Sequence, residues 1–264
     1  MVDYADQRGR DIVRHLVTGG ASGIGLATVQ MLAADGHDVI AMDVDKAALA
    51  ALADVPGVIP FAGSVASEVD CRKAAEIAAT QLGGLDGVSH SAGIQRYGTA
   101  ADTTSEVWDE VIAVNLTGAF LVAKATLPLV RASRGAYVFT GSVQSLATQR
   151  GVAAYTASKH GLLGLARSIA VDFADDGVRA NLVAPGAVAT PMLEWALSLA
   201  ADSGGVREEL RQMHPLGRIG TPQDVADVIV FLLSTRSAFV TGEVVRVDGG
   251  MLARIGGSPK GGKQ

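Results

Sequence analysis

The chain has 264 residues, 48% of them hydrophobic and 19% charged, with a net charge of −5. That supplies the core of an α/β domain and argues against a basic nucleic-acid footprint or an anionic-membrane surface, so the expected partner is a small molecule. The single cysteine, Cys71, rules out an intrachain disulfide and fits a reducing, cytoplasmic setting; in an alanine-rich helical stretch with no nearby His it reads as a packing residue.

Residues 1–10 have no apolar signal-peptide core, and no apolar run approaches about 20 residues, so no membrane span is expected. Short β-branched runs at 15–17, 38–42, 58–61, 87–90, 136–140, 178–183 and 244–247 predict strands. Helix-period segments at 23–35, 46–54, 67–82, 105–131, 153–175 and 222–233 fall between them. This alternation predicts βαβ units in one doubly wound α/β fold, a parallel sheet of about seven strands with helices on both faces. The strands are apolar with little alternation, as burial on both faces requires. No linker or repeat divides the chain, so residues 1–264 read as one domain.

The stretch 190–215 interrupts the alternation and mixes Met192, Leu193, Trp195, Leu197 and Met213 with Asp, Gly and Arg. A long insertion late in such a domain predicts a lid over a ligand. The Gly/Lys-rich tail, 256–264, is expected to be disordered.

Thr18-Gly-Gly-Ala-Ser-Gly-Ile-Gly25 closes the first strand and opens the first helix. Glycine there permits a tight reversal, close approach of backbone to a pyrophosphate and tight helix–strand packing, while the helix N-terminus offers free N–H groups to phosphate. That position marks a Rossmann-like dinucleotide turn. Asp43 ends the second strand 18 residues beyond Gly25, where a carboxylate can accept from adenosine ribose hydroxyls and would repel a 2′-phosphate. No Arg or Lys lies in the turn or directly after Asp43, so NAD is expected over NADP.

Tyr155 and Lys159 stand four apart on a predicted helix and share a face. A nearby Lys⁺ favours the phenolate and is expected to lower the Tyr155 pKa. Spacing alone also fits an ordinary amphipathic helix. Set beside Thr18–Gly25, His90-Ser-Ala-Gly93, Asn115, Ser142, Pro185-Gly186 with Thr190, and Val247-Asp-Gly-Gly250, the pair makes the chain resemble the short-chain dehydrogenase/reductase family, in its compact single-domain branch, from Leu16 to Asp248.

The resemblance implies an oxidoreductase that moves hydride between a nicotinamide and a CH–OH group. It implies Tyr155 as general acid/base and Ser142 as a second donor to the substrate oxygen. Lys159 would bind the nicotinamide ribose, and Asn115 would use its carbonyl to hold a water that links Lys159 to solvent. Cofactor contacts are implied at Gly19, Ser22, Gly23, Ile24, Gly25, Asp43, Ser64, Val65, Ala92, Gly93, Tyr155, Lys159, Pro185, Gly186, Val188 and Thr190. No metal site is assigned, and a homotetramer is implied.

Two positions depart from the family pattern. Ser64-Val65 stands where Asp-Val is usual, and His90-Ser91 where Asn-Asn is usual; His90 is read as a buried structural histidine. Gln95, Gln144, Gln149, Met192 and Trp195, with Ser142 and Tyr155, are expected to line the substrate site. The amides, with Arg96 nearby, suggest a small polar substrate such as a sugar, sugar acid or polyol; an NADPH-dependent carbonyl or 3-oxoacyl-acyl-carrier-protein reductase is the competing reading.

Overall fold

The computed structural model describes residues 13–254. The expectations for residues 1–10 and for the 256–264 tail lie outside them. Each parallel strand is nearly uniformly apolar, and its successive side chains enter opposite layers. Leu16 joins the core on one face and Val17 the core on the other; Phe139 and Val138 divide in the same way.

In chain order the elements begin β1 (Arg14–Thr18), α1 (Gly23–Ala34), β2 (Asp38–Asp43), α2 (Lys46–Ala50), β3 (Val58–Ala62), α3 (Glu68–Gln81) and β4 (Gly87–His90). There follow α4 (Ser105–Ile112), a π-helical turn (Ala113–Thr117), α5 (Gly118–Ser133), β5 (Ala136–Thr140), α6 (Ala153–Asp172) and β6 (Arg179–Pro185). The chain continues through α7 (Pro191–Ser198), α8 (Ser203–Met213), α9 (Pro222–Leu233) and β7 (Val244–Val247). The strands form one parallel sheet in the order β3-β2-β1-β4-β5-β6-β7. The chain winds outward from β1 in one direction and from β4 in the other. A crevice therefore opens between their carboxyl ends, the usual ligand site of such sheets.

Helix starts follow local chemistry. Asp45, Ser67, Thr104, Thr190, Asp202 and Thr221 each accept a hydrogen bond from a backbone N–H of the first turn they precede. Helices α1 and α9 pack together on one face of the sheet; α3, α5 and α6 cover the other.

One expectation changes. The helix predicted over 105–131 is broken by the π turn around Asn115, a single widened turn that the 3.6-residue pattern does not register. Residues 105–133 together are long and apolar enough to cross a membrane by length and composition, although no uninterrupted apolar run is that long; here the segment packs against α3 and α6. The 190–215 stretch folds as two helices, α7 and α8, of which only Leu197 is buried.

Candidate active site

A cleft of about 500 Å³ lies over the carboxyl ends of the strands. At its floor, β1 ends on Thr18 and the backbone reverses at Gly19, with φ +67°. A Cβ at Gly19 would sit 2.7 Å from the Ala92 nitrogen, and one at Gly25 would fall onto the Gly19 carbonyl. The turn is therefore glycine by geometry. Ser22 caps α1 without a side-chain hydrogen bond, and the first turn carries no acidic residue. Its N–H groups and positive dipole end are left facing the cleft.

Asp43 braces this turn as well as edging the cleft. Its carboxylate accepts from the Ala21 N–H at 3.0 Å and from the Asp45 N–H at 3.1 Å. The sequence pattern pointed to the ribose side of this residue and missed its hold on the turn. Ser64 lines the cleft with its hydroxyl accepting from the Ala66 N–H, while its own N–H donates to Asp70. Val65 is buried against Gly118.

The end of β5 and the first two turns of α6 bring Ser142, Tyr155 and Lys159 to one wall. Burial pushes the Tyr155 pKa up to about 12, and the neighbouring Ser142 hydroxyl draws it down only in part. The expected lowering by Lys159 is not what decides the value. The Lys159 ammonium lies 5.5 Å from the tyrosine ring centre and donates to the Thr140 carbonyl at 2.8 Å, and burial draws its own pKa down to about 8.

Asn115 is fully buried and does not line the cleft. Its side-chain oxygen accepts from the Ile94 N–H at 2.8 Å, and its amide donates to the Ile94 carbonyl and to Ser158. The carboxamide thus holds the loop after β4. His90 is also buried, with a neutral ring whose pKa burial lowers to about 3. Its Nδ1 lies 3.0 Å from the Thr18 hydroxyl, which accepts from the Ala92 N–H. Its Nε2 finds no hydrogen-bond partner among the described residues.

The turn glycines Gly19, Gly23 and Gly25, with Ser22 and Ile24, line the floor, joined by Ala92 and Gly93. Pro185, Gly186, Val188 and Thr190 line the β6 side. Thr190 both caps α7 and donates to the Val188 carbonyl. His214, not singled out in the sequence, ties α8 to this edge: it is buried, and its Nε2 accepts from the Ala187 N–H at 3.1 Å.

On the substrate side, Gln95, Gln144, Gln149 and Met192 line the cleft as expected. Trp195 does not. It sits outside the lining, stacked on Tyr97 with ring centres 6.0 Å apart, because its position on α7 faces the loop after β4. Arg96 is also outside, paired with Glu110 at 2.6 Å. The lining that sequence reasoning missed is largely apolar: Ile94, Tyr97, Leu193, Leu197, Leu210 and Met251. The apolar spacing within 190–215 signalled Leu193, Leu197 and Leu210 but not Ile94, Tyr97 or Met251.

The residues present fit a dinucleotide: a Cβ-free cradle under a helix N-terminus, a carboxylate at the end of β2, and a lysine–tyrosine wall opposite. Comparison with known proteins agrees. A family model described as enoyl-(acyl carrier protein) reductase matches residues 19–252. The chain is 37% identical to 2-(S)-hydroxypropyl-CoM dehydrogenase 3 of Xanthobacter autotrophicus, over 90% of this chain and 95% of that one. It is also 37% identical to a 3-oxoacyl-(acyl-carrier-protein) reductase of Thermotoga maritima, over 90% and 96%. Among solved structures, an aldohexose dehydrogenase of Thermoplasma acidophilum superposes with a TM-score of 0.86 at 28% identity, covering 98% of this chain and 99% of that one.

Proposed function

The chain belongs to the short-chain dehydrogenase/reductase family, oxidoreductases of alcohol- and ketone-type substrates, and within it we propose an enzyme that interconverts a secondary alcohol and a ketone with NAD in preference to NADP. The observation that carries the cofactor choice is the Asp43 carboxylate at the end of β2, on the cleft edge and bonded to the glycine turn. A ribose diol can donate to it, whereas a 2′-phosphate meets like charge. The test is kcat/KM with NAD and NADP on one panel of sugars, hydroxy acids and simple secondary alcohols; a preference for NADP overturns the proposal.

The bound nicotinamide supplies or accepts the hydride at its ring carbon. Gly19 and Ser22 to Gly25 would hold the pyrophosphate on backbone N–H groups, and Lys159 would hold the nicotinamide ribose. Val188 and Thr190 would meet the carboxamide, while Ser64, Val65, Ala92 and Gly93 would border the adenosine. With its pKa near 12, the Tyr155 phenol is protonated at neutral pH and poised to donate to a carbonyl oxygen being reduced. In alcohol oxidation it must first lose that proton, and the charge of Lys159 and of an oxidised nicotinamide favours the phenolate. Ser142 would donate to the same oxygen, so developing charge there is met by two preplaced donors. Asn115 acts through Ile94 and the π turn.

Gln95, Gln144 and Gln149 support a small hydroxylated substrate, the apolar residues opposite holding its carbon skeleton. An NADPH-dependent carbonyl or 3-oxoacyl-acyl-carrier-protein reductase is the second reading, favoured by the Thermotoga relative and opposed by Asp43. We also propose a homotetramer in a reducing, cytoplasmic compartment. Phe120 on α5, Val171 on α6 and Phe239 before β7 are exposed, and an assembly through these faces would cover them.

A further inference from the structure

Resting on that reading of the cleft, we propose that the substrate is uncharged: a compact alcohol or ketone with no carboxylate, phosphate or sulfonate. Among the described residues that line the cleft, Lys159 is the one cationic side chain, and its ammonium already donates to the Thr140 carbonyl beside Tyr155. Three arginines near the cleft, Arg96 after β4 and Arg207 and Arg211 on α8, are held by carboxylates. Arg96 donates to both oxygens of Glu110 from Nε and Nη2 and lies over the Trp195 ring, 6.0 Å from its centre. Arg207 donates to both oxygens of Glu194, bridging α8 to α7. Arg211 is paired with Glu208 within α8. Arg150 follows Gln149 in the chain but stands outside the lining.

Beyond the reactive corner, a substrate meets neutral amides and an apolar wall from Tyr97, Met192, Leu193, Leu197, Leu210 and Met251. An anion entering there loses hydration and gains no counter-charge, whereas hydroxyl and carbonyl groups exchange water for Gln95 and Gln149. This removes the sugar acid from the substrates suggested by the sequence and keeps the polyol. The cation expected from Arg96 is not available to the substrate.

The test uses the wild-type protein with two ketones of one shape, 3-(hydroxymethyl)cyclohexanone and 3-oxocyclohexane-1-carboxylate. Each is titrated calorimetrically into the NAD complex, in which a ketone cannot be reduced, and assayed separately for NADH oxidation at pH 7. The expected result is binding of the neutral ketone at least tenfold tighter, with kcat/KM higher by the same factor or more. Equal or tighter binding of the carboxylate overturns the inference, and so does binding of neither. The dehydrogenase reading is judged separately, by NAD reduction across the wider alcohol panel. Turnover there of hydroxy acids alone would keep that reading and discard this one.

Discussion

Asn115 grips Ile94 by both backbone groups, accepting from its N–H at 2.8 Å and donating to its carbonyl at 2.9 Å. The π turn at Ala113–Thr117 turns this carboxamide out of the helix toward the loop that forms one wall of the cleft. In Asn115→Leu the Ile94 groups and the Ser158 hydroxyl each lose a partner, which costs about 1–3 kcal/mol in a buried site. We expect a matching drop in unfolding free energy and a kcat lower by roughly 10- to 100-fold, since the loop carrying Gly93 and Gln95 is misplaced. Wild-type kcat from the variant would show that Ile94 is held well enough without it.

Tyr155 supplies the sharpest test of the chemistry. Tyr155→Phe removes the proton donor and keeps the ring, so kcat falls by roughly 100-fold or more while the Kd for NAD moves little. The pH dependence runs in opposite senses for the two directions. The phenol pKa is raised to about 12, so ketone reduction, which needs the protonated form, is sustained at neutral pH and declines as alkali removes that proton. Alcohol oxidation needs the phenolate and should rise with pH above 7. Initial rates in both directions from pH 6 to 10 would reveal it; an oxidation rate that falls with rising pH contradicts the assignment.

The sheet was legible because parallel strands buried on both faces are continuous apolar runs, and all seven appear where those runs lie. Gly19 and Gly25 were legible because no other side chain fits them. What escaped depends on contacts between distant segments. The π turn leaves the apolar pattern intact, so the resemblance assigns Asn115 to the proton relay while its grip on Ile94 goes unseen. The outward aim of Trp195 depends on where Tyr97 sits, nearly a hundred positions earlier in the chain. The Tyr155 pKa is set by burial, which spacing on a helix cannot report.

Asp43 combines two roles that separate substitutions can divide. Asp43→Asn removes the charge and keeps an oxygen for the Ala21 N–H, so NADP should gain roughly tenfold relative to NAD while affinity for NAD changes less. Asp43→Ala removes both, so the turn also loses its brace and KM rises for both cofactors. Steady-state KM and kcat with each cofactor separate the cases. An unchanged NAD/NADP ratio in both variants would show that Asp43 only braces the turn.

His15 and His90 make the fold sensitive to acid in a defined window. Both are fully buried, and burial lowers each pKa from about 6.5 to about 3. The folded state therefore keeps both rings neutral, while the unfolded chain protonates them below about 6.5. Stability from this source is complete above that pH and is lost as pH falls toward 3, on the order of 1.4 kcal/mol per pH unit for each ring. Between pH 6.5 and 4.5 the paired carboxylates Glu208 and Asp224, whose values are lowered, remain ionised, so the histidines dominate the slope. His90→Asn keeps a polar group for the Thr18 hydroxyl and removes one titrating ring. Its unfolding free energy should fall about half as steeply over that range as the wild type's, measured by urea titration at half-unit steps of pH. A slope identical to wild type would mean that His90 reaches solvent and takes up its proton without unfolding.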